Sequence, residues 1–256
     1  MIVTVGGKHA LGGSDRGGCG SSVAASLLPE RYAAKPTRPV LGPLRVREEA
    51  PRRLDNIRVR ARVRLADDAP FGMTKAEERG EVLFRSYGVS GICIFNLSRF
   101  AEPGDALLID FLPQVERTRL RRYLVERARR LAAPKGFGGG TRAPITYEAL
   151  LRGLLLPQIG NAVLEEAGLD PHAPLDADDL PALERALSEF PLTVEGIGDE
   201  RQCQVLRGGF AVEAFDPHTM ESRLDAGLFA AGEALDVDAP CGGYNLHWAW
   251  ASGLIA

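Results

Sequence analysis

Between residues 57 and 65 apolar and charged positions alternate without a break. Ile57, Val59, Ala61, Val63 and Leu65 fall on one side, and Arg58, Arg60, Arg62 and Arg64 on the other. A period of two is that of a strand with one buried face, so this run predicts four solvent-facing arginines over an apolar row. Shorter apolar runs at residues 1–5, 81–84, 106–111, 190–196, 202–206 and 228–231 read as further strands. Pro36, Pro39 and Pro43 keep the intervening chain extended, because proline fixes its own φ and biases the residue before it away from helix.

The period lengthens elsewhere. Leu120, Leu124, Ala128 and Leu131 recur at spacings of four and three, which predicts an amphipathic helix over 114–131, ended by Pro134 and the glycine-rich segment 136–140. Similar patterns predict helices over 90–100, with Ser90 as cap, over 147–166 before Gly168, and over 180–188 after Asp178 and Asp179. A short helix over 21–28 follows a glycine-rich loop at 12–20, and a last helix occupies 242–256. Strands near both ends of the chain and a mixed middle suggest one α/β domain in two parts, 1–44 and 207–256, around an inserted α+β domain at 45–206.

Hydrophobic residues at 45% and charged residues at 25% are ordinary globular usage and exclude wholesale disorder. The absence of a long apolar run argues against a membrane span, and the opening residues lack the pattern of a secretory signal. A net charge of -3 excludes a polybasic nucleic-acid binder by global charge. The arginine-rich stretch 116–130 reads as a solvated helix face, since no aromatic stacking platform accompanies it. Cys19, Cys93, Cys203 and Cys241 form no CxxC pair and the four histidines do not cluster, so neither a structural metal site nor a disulfide framework is expected, and a reducing cytoplasm is the default. No Ser-His-Asp order emerges, and no side chain is assigned a catalytic role.

Residues 228–252, LFAAGEALDVDAPCGGYNLHWAWAS, carry the most chemistry. A short strand ends in Gly-Glu, an acidic loop follows, and Gly-Gly opens a helix. Backbone N–H groups at a helix start suit an anionic or electron-rich ligand edge, and glycine lets a flat ligand come close. An ordinary strand–turn–helix connection has the same residues, and physics alone leaves both readings open.

This stretch resembles the carboxyl-terminal signature of the BaiN/RdsA-type family of NAD(P)/FAD-dependent oxidoreductases. VTVGGK at 3–8, GEVLFRSYGVSGICIFNLSRF at 80–100, FPLTV at 190–194 and DPHTMESRL at 216–224 resemble other blocks of that family, in the same order. The resemblance implies a partial Rossmann-like FAD-binding domain interrupted by a substrate-side insert. It places Gly6 and Gly7 beside the cofactor, and Gly232 and Glu233 at the close of a conserved strand. Asp236 takes the place of the acidic residue near the ribityl-phosphate region. Gly242, Gly243, Tyr244, Asn245 and Leu246 fall at the helix start facing the isoalloxazine ring, where Asn245 could add a hydrogen bond. The family's GxGxxG loop and ribose-binding acid lie upstream of the VTVGGK strand, and this chain has neither before Met1. The loop at 13–20 also departs from the family pattern by an insertion and a missing tyrosine. The expectation is therefore a fragment of an FAD-dependent oxidoreductase, or a degenerate paralogue, binding FAD weakly or not at all and inactive alone. Its parent would use NAD(P)H to reduce a small organic substrate, with no nucleic-acid or membrane partner. The competing expectation is a non-catalytic ligand-binding or interaction protein that kept the fold and lost the cofactor.

Overall fold

The alternating run at residues 57–65 becomes one stave of a closed barrel. In a computed structural model, which describes residues 2–4, 32, 34–67, 72–132 and 144–256, the strands in chain order are β1 (Ile2–Thr4), β2 (Lys35–Val40), β3 (Leu44–Val46), β4 (Arg58–Ala66), β5 (Thr74–Arg85), β6 (Gly88–Ser90), β7 (Ala106–Asp110), β8 (Phe190–Ile197), β9 (Val205–Gly209) and β10 (Phe229–Ala231). The helices are α1 (Ala50–Arg53), α2 (Ile92–Ser98), α3 (Arg117–Ala132), α4 (Tyr147–Leu151), α5 (Pro157–Glu166), α6 (Leu180–Ser188) and α7 (Tyr244–Ile255). The expected glycine-rich loop at 12–20 and helix at 21–28 lie outside the described residues. Among the described residues no helix is long and apolar enough to cross a membrane.

The chain divides into two compact units. One comprises Met1–Leu44, Ile94–Arg99 and Ile197–Ala256, the other Arg45–Cys93 and Phe100–Gly196. The blocks 94–99 and 197–206 belong to the first unit through local bonds: Asn96 accepts the N–H of Cys241, Ser98 accepts that of Gly42, and Gln204 donates its N–H to Leu41.

In the second unit the barrel runs β3-β6-β5-β4-β7-β8. Ala61, Val63 and Leu65 are buried, with Val82, Phe84, Leu107, Ile109, Phe190 and Leu192 from the neighbouring strands. Phe111 meets Phe190 edge-on at 5.4 Å. The four arginines do not all face solvent as the alternation predicts. Arg58 and Arg60 are exposed, but Arg62 and Arg64 are half-buried, because Asp110 on β7 takes the first at 2.7 Å and Glu189 takes the second at 2.6 Å. β5 is also longer than its apolar run at 81–84. Its polar first half pairs with β4, Arg64 opposite Glu77 but Arg62 opposite Arg79, and Arg62 finds its counter-charge in Asp110 on the other side of β4. The single helix expected over 147–166 is two, α4 and α5. Pro157 starts the second, and its ring would clash with a helix continuing from before it. The helix α3 matches its stripe, with Leu120 and Leu124 buried.

The first unit holds two small sheets. β1 and β10 pair in parallel, with Val3 opposite Ala230. β2 and β9 form an antiparallel ribbon in which Arg38 lies opposite Arg207. The core gathers Tyr32, Phe210, Phe215, Met220, Leu228 and Leu235. Tyr32 contacts Phe210 edge-on at 5.9 Å, and its hydroxyl reaches Ser222 at 2.6 Å and donates to Asp225. That buried hydroxyl is satisfied, which lets a tyrosine fill the centre of the cluster.

Candidate cofactor and ligand site

The site grows from the end of β10. Gly232 turns the chain out of the strand at φ 62°. Its N–H donates to Ser252 on α7 at 2.8 Å, and its carbonyl accepts from Trp248 Nε1 at 3.1 Å, so α7 is pinned across the strand end. Glu233 turns inward, where its carboxylate accepts the N–H of Leu206 on β9. Burial raises its pKa, and the Leu206 N–H opposes the rise only in part. A carboxyl with a raised folded-state pKa binds its proton more tightly when folded, so its contribution to stability is lost as pH rises from the ordinary glutamate value through the folded one. Glu233→Gln keeps an acceptor for Leu206 without the buried charge. The variant is expected to melt a few degrees above the parent at pH 7, and to flatten the decline in stability across weakly acidic pH, as followed by thermal denaturation.

Asp236 is a lock between elements. One oxygen accepts from Lys35 Nζ at 2.6 Å and the other from the Gly208 N–H at 3.1 Å, and its own N–H donates to the Phe210 carbonyl. The Lys35 ammonium is held above its usual pKa by this carboxylate. Asp238 lies deeper, with 6% of its side chain exposed, and accepts from Arg99 Nε at 2.5 Å and Arg207 Nε at 2.8 Å. A cavity of about 440 Å³ opens here, lined by Lys35, Pro36, Arg38, Arg207, Gly208, Asp236 and Asp238.

The loop then reaches α7. Asn245 folds back onto it: its Oδ1 accepts the Ala239 N–H and its Nδ2 donates to the Ala239 carbonyl, both at 2.8 Å. Its amide therefore shapes the loop. Gly242 and Gly243 take φ 128° and 89°, a region that side chains resist, and they aim the chain into the helix. Gly243 caps α7 with no side chain, and a Cβ there would meet nothing within 4 Å. The first N–H groups of a helix have no partner inside it, so this start offers donors and the positive end of the helix dipole to whatever approaches. Tyr244 and Leu246 stand exposed beside it.

Gly232, Glu233 and Asp236 thus lie in one turn-and-loop, and Gly242, Gly243, Tyr244, Asn245 and Leu246 at one helix start. Gly6 and Gly7 lie outside the described residues. Lys35, Arg38, Arg99, Arg207 and Asp238 also meet here, without a signal in the sequence. Nothing periodic marks them, and the Lys35–Asp236 contact joins residues 201 positions apart.

The HI0933-like protein Rossmann domain family matches residues 3–256. The chain belongs to this family. Within reach of the HI0933-like match are curated relatives with known activities. A 3-dehydro-bile acid delta(4,6)-reductase of Clostridium scindens is 32% identical over 271 residues, covering 100% of this chain and 60% of the relative. A ribosomal RNA dihydrouridine synthase of Escherichia coli is 30% identical over 250 residues, covering 95% of this chain and 57% of the relative. A synthase of the same name from Haemophilus influenzae is 27% identical over 174 residues, covering 67% of this chain and 40% of the relative. The chain therefore spans about 60% of the first relative's length and 57% of the second's. These relatives bear out the BaiN/RdsA-type resemblance. The HI0933-like match also bears out the Rossmann-like assignment at the level of the family, and the fold is mixed α/β with a closed barrel.

Proposed function

We propose that this chain forms the flavin-ring side of an FAD-dependent oxidoreductase that uses NAD(P)H to reduce a small organic substrate in the cytoplasm, without nucleic-acid or membrane partners. In this reading the first unit is the cofactor domain and the second, with its barrel, is an inserted substrate-side domain. The observation that carries the proposal is the start of α7: two positive-φ glycines, a cap without a side chain, and open space where its Cβ would stand, within a family match over residues 3–256. The reductase and synthase relatives support the reaction class.

The residues present fit a flavin ring. Gly243 would admit a flat heterocycle close to the backbone, and the N–H groups of Tyr244, Asn245 and Leu246 would face an electron-rich edge. Tyr244 and Leu246 would cover apolar ring surface. FAD supplies hydride transfer when bound. The protein's own part is to hold the helix dipole in place. Trp248 and Ser252 do this by gripping Gly232, and Asn245 by fixing Ala239. Asp236 and Glu233 act behind that surface, keeping β9 and the loop in register. FAD binding by the 256 residues alone is expected to be weak, because they contain no GxGxxG phosphate loop.

Gly243→Ala tests the assignment. The methyl group meets open space, so the structural cost is only that of a side chain at positive φ, about 1–2 kcal/mol. The proposal expects FAD affinity, measured by quenching of flavin fluorescence on folded protein, to fall by about tenfold or more, well over 1 kcal/mol. Unchanged affinity with reduced stability would leave Gly243 a turn residue and remove the flavin from this helix start.

A further inference from the structure

One face of α7 anchors the helix to the first unit. Ser252 is buried there, and Trp248 and Ala256 pack against the core around Phe210 and Leu228. On the opposite face Leu246, Trp250 and Leu254 recur at a spacing of four and are 71%, 73% and 81% exposed. The helix Tyr244–Ile255 contains no Asp, Glu, Lys or Arg, whereas the solvent side of α3 is rich in arginine. A helix that is apolar on every side is normally buried, and a contiguous apolar ridge left in water marks a contact surface.

We infer that this ridge pairs with the same ridge of a second copy of the chain. Residues four apart form a ridge, and two such ridges interdigitate when their helices cross at about −50°. A foreign partner would need a ridge of the same pitch, whereas a second copy supplies it by construction. With a two-fold axis between Trp250 and Leu254, each Trp250 lies on the partner's Leu254, so one contact is made twice. Gly253, where a Cβ would meet nothing within 4 Å, lets the two backbones close around the indoles. The helix carries no charged residue, so two copies meet here without like-charge repulsion. Trp250 and Leu254 with their flanks expose about 400 Å² on each copy, about half of what each partner gives to a standard interface, so the dimer is weak and reversible. Leu246 stands one turn beyond the contact, beside the proposed ring site, and the pairing does not depend on that site.

Sedimentation velocity of the 256-residue chain from about 5 to about 500 µM tests the pairing. The expected result is a reversible monomer–dimer equilibrium with a midpoint of about 10–100 µM, insensitive to added salt because no charge takes part. Trp250→Glu and Leu254→Lys, both at exposed positions, keep the parent's melting temperature, and each raises the midpoint by about tenfold or more. Mixed in equal amounts, the two variants are expected to form a heterodimer at parent-like concentrations. In it the introduced carboxylate and ammonium face each other, and the remaining Leu254 and Trp250 make the second contact. A dimer that both variants retain, or variants that fail to associate on mixing, overturns the pairing. A chain that stays monomeric throughout the range also overturns it and leaves the ridge to a different partner.

Discussion

Asp238→Ala is expected to destabilise the first unit by about 3–5 kcal/mol, the range for breaking a buried ion pair by removing one partner. The carboxylate is 6% exposed and serves both Arg99 and Arg207, whose side chains are only 14% and 29% exposed. Removing it leaves the Arg99 and Arg207 guanidiniums without their shared carboxylate, and both repulsion and lost hydrogen bonds act in the same direction. Asp238→Asn keeps an acceptor of nearly the same shape and is expected to fall between parent and alanine variant. Urea denaturation followed by far-UV circular dichroism measures both. The consequence reaches function, because Asp238 sits in the loop that leads to α7. The alanine variant that remains folded is therefore expected to bind FAD less tightly than the parent. Equal stability of Asp238→Ala and the parent would show that the cluster is not organised around this carboxylate.

Gly91→Ala is expected to cost about 2–5 kcal/mol, from a positive-φ penalty added to overpacking. Gly91 links β6 to α2 at φ 110°, and a Cβ there would lie 2.2 Å from the carbonyl oxygen of Glu81 and 3.6 Å from the N atom of Leu83. Those atoms belong to the backbone of β5, so no flexible side chain can yield and the barrel itself must shift. Gly168→Ala separates the two contributions. It has φ 70° and nothing within 4 Å of the added Cβ, so only the conformational cost of about 1–2 kcal/mol applies. Denaturation midpoints of the two variants measured side by side are expected to differ clearly, with Gly91→Ala the weaker. Equal losses would mean that the Glu81 carbonyl moves aside without cost.

Much of the local structure was legible where one physical requirement dominated. Leu120 and Leu124 on the stripe of α3 and Ala61, Val63 and Leu65 on the row of β4 are buried as their periods demand, while Ala128, Leu131, Ile57 and Val59 are half-buried toward the element ends. The Gly-Gly start of α7 was readable because few residues other than glycine take that backbone. Legibility failed where the deciding partner lies elsewhere in the chain. The first half of β5 has no apolar signal, and it is a strand because its backbone pairs with β4 from Ala66 opposite Thr74 to Arg62 opposite Arg79. Arg62 and Arg64 look like surface residues in the sequence, and Asp110 and Glu189 draw them down. The break between α4 and α5 was marked by Pro157, whose effect outweighed a helical period running through it. Around the candidate site, the residues near α7 were found through a motif. The cations of β2 and β9 were not, because they meet Asp236 and Asp238 only once the ribbon is paired. The Asn245 amide bonds Ala239 through both its atoms, a loop-fixing role that the sequence does not announce.

A flavin ring seated at the start of α7 is detected by the visible absorption spectrum of FAD titrated with the 256-residue chain. The expected result is a saturable shift and sharpening of the flavin bands, reached only at high protein concentration and lessened in Gly243→Ala. A flavin spectrum that stays unperturbed with folded protein in large excess would contradict it.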